Sequence, residues 1–386
     1  MTERNWHFTA PCHFGLEAVL KRELADLGLA VQGAQAGRVH FSGDARALVR
    51  ANLCLQSAER VLLEVGRFTA TSYEELFQGT KALPWEDFLP EHGRFWVKKA
   101  STVKSALFSP SDIQRVMKKA MVERMKQHYP REHFPEDGAD YPIRVSLLKD
   151  EVSVCLDTTG DSLHKRGYRK LEVAAPIAEN LAAAILLLSP WRGDRILVDP
   201  FCGSGTFPIE AARMAAHIAP GLDRRFTAEQ WPELVPAALW QEERASLRAQ
   251  IRTDIETDIQ GYDIDPAAVE VARKNAEAAG VADLIHFQVR PLAALSHRKK
   301  YGFIITNPPY GERIGNAGEL YGLYRELGER YRALPDWSMY VITGYEDAEK
   351  ALGGRPDKNR KIYNGMLQTR LYEYRGAKPP KQGNRA

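Results

Sequence analysis

The hydrophobic pattern of the chain changes character near residue 165. Before that point, short strand-like runs alternate with amphipathic helical segments, such as residues 15–27, where Leu16, Val19, Leu20 and Leu24 share one helix face. After it, short apolar runs alternate with longer helical segments, which is typical of a doubly wound parallel sheet. The sequence therefore predicts an α+β N-terminal half followed by an α/β C-terminal half.

Three units follow from this pattern. Residues 1–68 are predicted to form a small α+β unit, and residues 69–158 a second α/β unit. Residues 165–386 are predicted to form the doubly wound domain, with a polar, tryptophan-containing and mostly helical insertion at residues 221–258. Near the C-terminus, the pair Asn364-Gly365 predicts a two-residue hairpin.

Positive charge is clustered, although the 386 residues carry a net charge of only +3. Residues 94–126 contain nine Lys or Arg and two acids, while residues 164–170 and 374–386 contain four cations each. A solvated helix face or a frayed tail could explain one such cluster, but three clusters favour a polyanion partner, RNA or DNA. The residues assigned to nucleic-acid binding are Lys98, Lys99, Lys118, Lys119, Lys165, Arg166 and Arg169.

Composition argues against a secreted or membrane protein. The N-terminus lacks a signal-peptide pattern, and the longest apolar run, residues 181–188, is too short to cross a bilayer. The four cysteines are scattered without a Cys-x-x-Cys pair, so neither a disulfide framework nor a zinc site is indicated. These features predict a cytoplasmic protein with no metal, no membrane and no obligate protein partner.

A glycine-rich turn follows the apolar strand that ends at Val198. In the segment from Asp199 to Thr206, glycines allow a tight turn and a close ligand approach, and the helix from Thr206 presents free amides. The next strand ends at Asp263, whose carboxylate can accept hydrogen bonds from both ribose hydroxyls, and Ile264 can pack on adenine. Dinucleotide enzymes share this acid, so the feature alone leaves S-adenosylmethionine (AdoMet) and NAD open.

A second motif, Asn307-Pro308-Pro309-Tyr310, follows a later apolar strand and separates these alternatives. The Asn307 side-chain oxygen and the Pro308 carbonyl can accept hydrogen bonds from an amino group and hold its lone pair toward a methyl donor. Tyr310 can stack a base that has left its helix. We therefore predict Asn307, Pro308 and Tyr310 as the catalytic residues of an AdoMet-dependent amino-group methyltransferase.

The sequence resembles the bacterial ribosomal RNA guanine methyltransferases that carry a THUMP RNA-binding domain, the RlmL-like group. The resemblance is carried by residues 163–169, 175–184, 199–207 and 307–313. It implies a ferredoxin-like N-terminal domain, a THUMP domain ending near residue 158, and a Rossmann-like class I methyltransferase with an antiparallel final strand.

The resemblance also implies which residues hold AdoMet. The expected cofactor-binding residues are Asp199, Phe201, Gly203, Gly205, Thr206, Asp263, Ile264, Glu179 and Asn180. Many class I methyltransferases have an acid after the third strand that holds the adenine amine, but residues 288–291 offer none. The adenine amine is therefore expected to contact another group, such as a backbone atom.

The expected activity is methylation of a guanine of 23S rRNA. Two hydrogen-bond acceptors suit the proton-bearing exocyclic N2 better than N7, which remains the alternative. DNA adenine-N6 and protein glutamine-N5 methyltransferases share the Asn-Pro-Pro-Tyr motif, but the THUMP resemblance and the basic N-terminal half disfavour them. A non-catalytic RNA-binding assembly factor is a further alternative, against which the intact Asn307 and Asp263 argue.

Overall fold

The computed structural model describes residues 4–171, 176–310, 317–364 and 367–380. Ala175 and residues 311–313 of the resemblance motifs lie outside the described residues. Two seven-stranded sheets dominate the described part of the chain. None of its helices is both long and apolar enough to cross a membrane.

The first sheet has the strand order β2-β3-β1-β4-β7-β6-β5. Its strands are β1 (Trp6–Pro11), β2 (Ala30–Gln35), β3 (Arg38–Gly43), β4 (Leu62–Thr69), β5 (Arg94–Val103), β6 (Asp140–Leu148) and β7 (Glu151–Asp157). Its helices are α1 (Glu17–Asp26), α2 (Ala45–Cys54), α3 (Tyr73–Ala82) and α4 (Pro110–His128).

Strand β4 joins the two predicted N-terminal units into one sheet. It pairs with β1 on one side, through Phe8 and Leu63, and with β7 on the other, through Leu62 and Asp157. The buried apolar residues of both units accordingly form one continuous core. The α+β character predicted from the sequence is confirmed, but the units share a sheet because each would otherwise expose an unpaired edge strand.

The second sheet has the order β10-β9-β8-β11-β12-β14-β13. Its strands are β8 (Leu197–Asp199), β9 (Ile259–Asp263), β10 (Ile285–Val289), β11 (Phe303–Thr306), β12 (Ser338–Thr343), β13 (Lys358–Asn364) and β14 (Leu367–Tyr374). Its helices are α5 (Glu179–Leu188), α6 (Thr206–Ala215), α7 (Ala237–Ala249), α8 (Pro266–Ala278), α9 (Ala317–Arg332) and α10 (Ala348–Leu352).

The second sheet confirms the expected Rossmann-like architecture. Strands β8 to β12 are parallel, and β14 runs antiparallel between β12 and β13. The β13–β14 ladder extends to the pair Asn364 and Leu367. The predicted hairpin is present, but Asn364 belongs to the ladder and not to the turn, and residues 365 and 366 lie outside the described residues.

The 221–258 segment packs against the first sheet, although it follows the first strand of the second. Trp231 and Trp240 are buried in the core of the N-terminal half. The Trp231 ring stacks on Tyr141, with centroids 4.9 Å apart, and its indole N–H donates to the Asp140 carbonyl at 2.8 Å. The segment therefore completes the N-terminal core. The local sequence pattern cannot predict this packing, because the packing partners are distant in sequence.

Backbone hydrogen bonds also tie this segment to the N-terminal half. The Gly221 amide donates to the Leu53 carbonyl at 2.9 Å, and the Ala228 amide donates to the Thr158 carbonyl at 3.0 Å. The Arg224 guanidinium donates to the carbonyls of Asp161 and Ser162. The two halves are thus held together by polar as well as apolar contacts.

We predict that Trp231→Ala lowers the free energy of unfolding of the N-terminal half by about 3–5 kcal/mol, because it removes a fully buried ring from the core. Urea unfolding and hydrogen exchange of the β6 amides measure this effect. Trp231→Phe is the control and should lose less. Unchanged protection of β6 in Trp231→Ala would contradict the role of the segment in this core.

Candidate active site

Both sequence motifs lie at the carboxyl edge of the second sheet. Strands β8 and β11 are parallel neighbours, with Leu197 opposite Phe303 and Val198 opposite Ile304. The turns that follow these strands therefore leave the sheet side by side. Ligands of open α/β sheets bind outside the carboxyl ends of the strands, where the strand order reverses.

Gly205 allows the glycine-rich turn to enter α6. It has a left-handed conformation with φ of 84°, and its amide donates to the Cys202 carbonyl at 2.8 Å. A Cβ atom at this position would lie 3.0 Å from the Ala272 side chain and 3.1 Å from the Phe287 ring. Any larger residue would be strained by the positive φ and would crowd these two side chains.

Asp263 connects the glycine-rich turn to the end of β9. One carboxylate oxygen accepts a hydrogen bond from the Gly203 amide at 2.9 Å, and the other accepts one from the Asp265 amide at 3.0 Å. The side chain is half-buried. Because each carboxylate oxygen has a second lone pair, Asp263 can also accept ribose hydroxyl hydrogen bonds.

Two apolar side chains extend into solvent beside Asp263. Ile264 is 74% exposed at the end of β9, and Val289 is 44% exposed at the end of the neighbouring β10. Exposed apolar groups on adjacent strand ends can enclose a flat ring such as adenine. Ile264 was predicted from the sequence, whereas Val289 was missed because only the sheet order brings it beside Ile264.

Asp199 is buried at the end of β8. Its carboxyl group accepts a hydrogen bond from the Thr306 hydroxyl at 2.6 Å and one from the Phe201 amide at 3.1 Å. Burial raises the pKa of Asp199 to about 7. Phe201 itself is half-buried and packs beside the apolar cluster on the β11–β12 side of the sheet. A cationic ligand at this edge would favour the ionised form of Asp199.

Glu179 and Arg169 form a second buried group under the turn. Arg169 donates to the Thr206 hydroxyl and to the Ile177 carbonyl, both at 2.8 Å, and lies 3.4 Å from the Glu179 carboxylate. Burial raises the pKa of Glu179 to about 7, although Arg169 acts in the opposite direction. Within the described residues, the Glu179 Oε2 atom has no hydrogen-bond partner. It is therefore available to a polar group of a bound ligand.

Asn180 is buried and connects the site to the N-terminal half. Its side-chain amide donates to the Ala58 carbonyl at 3.4 Å, and its side-chain oxygen lies 3.4 Å from Nε2 of His13. Asn180, a predicted cofactor-binding residue, therefore contacts Ala58 and His13 of the N-terminal half.

The second motif begins directly after β11. Asn307 is half-buried and Pro308 is buried. The Tyr324 hydroxyl on α9 lies 2.5 Å from the Thr343 hydroxyl and donates to the Pro309 carbonyl at 3.3 Å. A Cβ atom at Gly344 would lie 3.1 Å from the Tyr310 ring, so the ring packs on the backbone there.

Sequence reasoning missed these supports of the second motif. Tyr324 and Gly344 reach the motif from a helix and a neighbouring strand end that are distant in sequence. The available signal was the position of Thr343 and Gly344 at the end of another parallel strand.

Arg166 is buried and the Arg169 side chain is only 11% exposed, so both guanidinium groups bind protein groups and do not lie on the predicted RNA-binding surface. The Arg166 side chain is buried and donates to the carbonyls of Leu163 and Gln56, and it also lies 3.4 Å from Glu210. Arg169 supports Thr206 as described above. Both arginines make hydrogen bonds inside the protein. A count of charges along the sequence cannot tell such arginines from those on a binding surface.

The basic stretch at residues 94–126 is partly neutralised by ion pairs, most of them with acids from outside the stretch. Five of its cations form ion pairs: Arg94 with Asp140, Arg115 with Asp112, Lys118 with Glu136, Arg124 with Glu86, and Lys126 with Glu132. Lys118 also donates to the Phe95 carbonyl. Of the residues assigned to nucleic-acid binding, the exposed ones are Lys98, Lys99, Lys119 and Lys165.

The sheet order, the glycine-rich turn after β8, the acid after β9 and the Asn-Pro-Pro-Tyr motif after β11 together define a class I methyltransferase. The residues at this edge fit AdoMet. Asp263 has lone pairs left for ribose hydroxyls, and the exposed Ile264 and Val289 can enclose adenine. In the described part of the chain, no group of three or more His, Cys, Asp or Glu side chains could hold a metal ion.

Comparison with known proteins identifies the family. The model of the RMKL-like methyltransferase domain matches residues 166–373, that of the RlmL ferredoxin-like domain matches residues 7–62, and that of the THUMP domain matches residues 70–157. The chain belongs to the RMKL-like methyltransferase family, and the resemblance stated from the sequence is confirmed.

Individual relatives agree with this assignment. The chain is 43% identical over 368 residues to the "Putative RNA methyltransferase YpsC" of Bacillus subtilis (strain 168), which covers 95% of this chain and 94% of that protein. It is 37% identical over 376 residues to a ribosomal RNA large subunit methyltransferase K/L of Pseudomonas paraeruginosa (strain DSM 24068 / PA7), covering 93% of this chain. The chain spans 51% of the length of that relative.

A solved structure matches along nearly the whole chain. SMU.472, complexed with SAH, has a TM-score of 0.92 and 43% identity, covering 98% of this chain and 100% of that chain. SAH is what remains of AdoMet after methyl transfer, so the ligand of that relative agrees with the AdoMet expectation. Together, the family and its relatives support RNA methylation.

We predict that Asp263→Ala weakens AdoMet binding by about 1–3 kcal/mol, because ribose hydroxyls would lose a charged acceptor. Isothermal titration calorimetry measures the affinity. Asp263→Asn retains one acceptor and should lose less, and the exposed Asp283→Ala should bind as the wild type does. Wild-type affinity in Asp263→Ala would rule out this ribose site.

We predict that the free energy of unfolding falls as the pH rises from about 5 to 7, because Asp199 and Glu179 retain protons when folded that they release when unfolded. Asp199→Asn should show a shallower dependence, since the amide does not titrate but can still accept the Thr306 hydrogen bond. Urea unfolding across this pH range measures the slope. A wild-type slope in Asp199→Asn would contradict the prediction.

Proposed function

We propose that this protein uses AdoMet to methylate a guanine of 23S rRNA, at the exocyclic N2. The observation that carries the proposal is the adjacency of Asn307 to the glycine-rich turn, which follows from the pairing of β8 with β11. The pairing supports a site in which two hydrogen-bond acceptors lie beside the proposed cofactor. Guanine N2 carries two protons for such acceptors, whereas N7 carries none.

The substrate class is supported by the relatives and by the charges of the N-terminal half. A cavity of about 180 Å³ on one face of the first sheet is lined by four cations, Arg38, Arg60, Lys99 and Arg144, and by one acid, Glu59. Buried Asp157 pairs with Arg60 and Arg144. Lys99 and Arg38 therefore leave this face positive, which suits RNA phosphates. The proposed substrate also implies a cytoplasmic location.

The proposed cofactor residues are those at the ends of β8 and β9, together with Glu179 and Asn180. Asp263 binds the ribose hydroxyls and Ile264 packs on adenine. Gly203, Gly205 and Thr206 leave room for the methionine portion, and Asp199 and Glu179 favour its positive charges. Bound AdoMet supplies an electrophilic methyl group on its sulfonium.

In the proposed mechanism, the second motif positions the amino group for methyl transfer. The Asn307 side-chain oxygen and the Pro308 carbonyl accept hydrogen bonds from the two N–H groups of the amine. These hydrogen bonds turn the nitrogen lone pair out of conjugation with the base. Tyr310 stacks the base, and its ring is supported by the backbone at Gly344. Tyr324 holds the Pro309 carbonyl and so fixes the direction of the adjoining backbone.

The proposal is tested by incubating the protein with labelled AdoMet and with unmodified 23S rRNA, duplex DNA or a glutamine-containing peptide. Nucleoside digestion and mass spectrometry then identify the product. N2-methylguanosine is expected. Product 7-methylguanosine would overturn the amine mechanism, label in DNA or peptide would overturn the substrate class, and RNA binding without transfer would indicate an assembly factor.

We predict that Asn307→Ala lowers turnover by roughly 10²-fold or more, because one preorganised polar group is lost. AdoMet affinity should change little, since the side chain faces the substrate position. The exposed Asn359→Ala, on β13, serves as the matched control. Single-turnover kinetics and calorimetry separate the two effects, and wild-type turnover in Asn307→Ala would refute the assigned role.

A further inference from the structure

Two exposed aromatic side chains meet where the N-terminal half contacts the β13–β14 hairpin. Phe14 is 49% exposed and Tyr363 is 38% exposed. Their ring centroids are 6.0 Å apart, and the rings are inclined at 76°. We call Phe14 and Tyr363 the aromatic ledge. A pair of large rings left in solvent at a junction is a feature of binding surfaces more than of packing.

The backbone on both sides of the aromatic ledge is held in place. Gly15, with φ of 91°, approaches β13 so closely that a Cβ atom would lie 2.7 Å from the Lys361 carbonyl oxygen. His13 donates a hydrogen bond from Nδ1 to the Tyr363 carbonyl at 2.7 Å. These contacts hold the backbone that carries both rings before any ligand arrives, which lowers the entropy cost of binding.

The aromatic ledge lies near residues of the candidate active site. On one side, the ring of His13 lies between the Tyr363 carbonyl and the buried Asn180. Leu367, at the start of β14, lies across the hairpin end opposite Asn364 and is 50% exposed, on the other face of the hairpin from Tyr363. Leu367 and Tyr310 both pack around Gly344. A Cβ atom added to Gly344 would lie 3.7 Å from the Leu367 side chain and 3.1 Å from the Tyr310 ring.

Positive charge lies next to the aromatic ledge. Lys361 is exposed and precedes Tyr363 by two strand positions, so both side chains lie on the same face of β13. Arg370 is opposite Lys361 in the hairpin and is half-buried. Aromatic rings beside cations are the combination by which proteins bind unpaired nucleotides, with the base on the ring and the phosphate at the cation.

We propose that the aromatic ledge stacks an unpaired base that neighbours the target nucleotide in the RNA substrate. The inference rests on the proposed function in taking RNA as that substrate. The target base itself belongs to the Asn307–Tyr310 motif. A base that leaves its stack to enter this motif also frees its neighbour, and the aromatic ledge then holds that neighbour. Specificity for an unpaired flanking nucleotide follows.

The test uses short single-stranded RNA with 2-aminopurine at successive positions, because stacking on an aromatic ring quenches its fluorescence. The full-length wild type should quench one position strongly. Phe14→Ala and Tyr363→Ala should abolish that quenching and lower RNA affinity by roughly ten- to a hundred-fold, on the scale of one lost base–aromatic contact. Phe14→Tyr and Tyr363→Phe keep the rings and should retain the quenching.

Tyr73→Ala is the matched control, because Tyr73 is also 38% exposed but lies on α3 of the N-terminal half. It should quench and bind as the wild type does. Equal quenching in the wild type and both alanine variants would overturn the proposal, and so would capture of a protein segment at this surface in place of RNA. The fluorescence readout needs no turnover, so it judges the aromatic ledge separately from the methylation assay, whose failure would count against the proposed function.

Discussion

The hydrogen bond from the Thr306 hydroxyl to the Asp199 carboxyl joins the ends of the two central parallel strands, and the candidate active site depends on it. Asp199 is the last residue of β8, and Thr306 is the last residue of β11. Each begins one of the two loops that carry the predicted chemistry. With this bond buried, the loops cannot separate without exposing a carboxyl group that has lost its partner.

Much of the site was predictable because its signals are local. The glycine-rich turn, Asp263 and Asn307 each follow an apolar strand directly, and the carboxyl ends of parallel strands meet at one edge of a sheet. The supports of these residues were not predictable in the same way. Tyr324, Gly344 and Val289 reach the site through strand order and helix packing, which join parts of the chain that are distant in sequence.

Charge was the least reliable signal for the location of side chains. Arg166 lies in the same short basic stretch as Lys165, yet Arg166 is buried among carbonyl groups while Lys165 is exposed. A guanidinium has five donors and can satisfy several backbone acceptors inside a protein, whereas a lysine ammonium is more strongly hydrated. The fold class was easier to predict, because it depends on the period of the apolar positions and not on individual charges. The shared N-terminal sheet was missed because pairing between β4 and β7 joins residues far apart in the chain.

The packing of Trp231 and Trp240 into the N-terminal core has a consequence for synthesis. All seven strands of the first sheet end by Asp157, but Trp231, which covers Tyr141, and Trp240, which packs in the same core, are made later. On the ribosome, the N-terminal half therefore emerges with part of its apolar core still open to solvent. It can close only after α5, β8 and α6 of the second sheet have also been made. The N-terminal core is therefore completed by residues of the C-terminal half. A nascent chain stopped before residue 231 would expose apolar surface to chaperones and proteases.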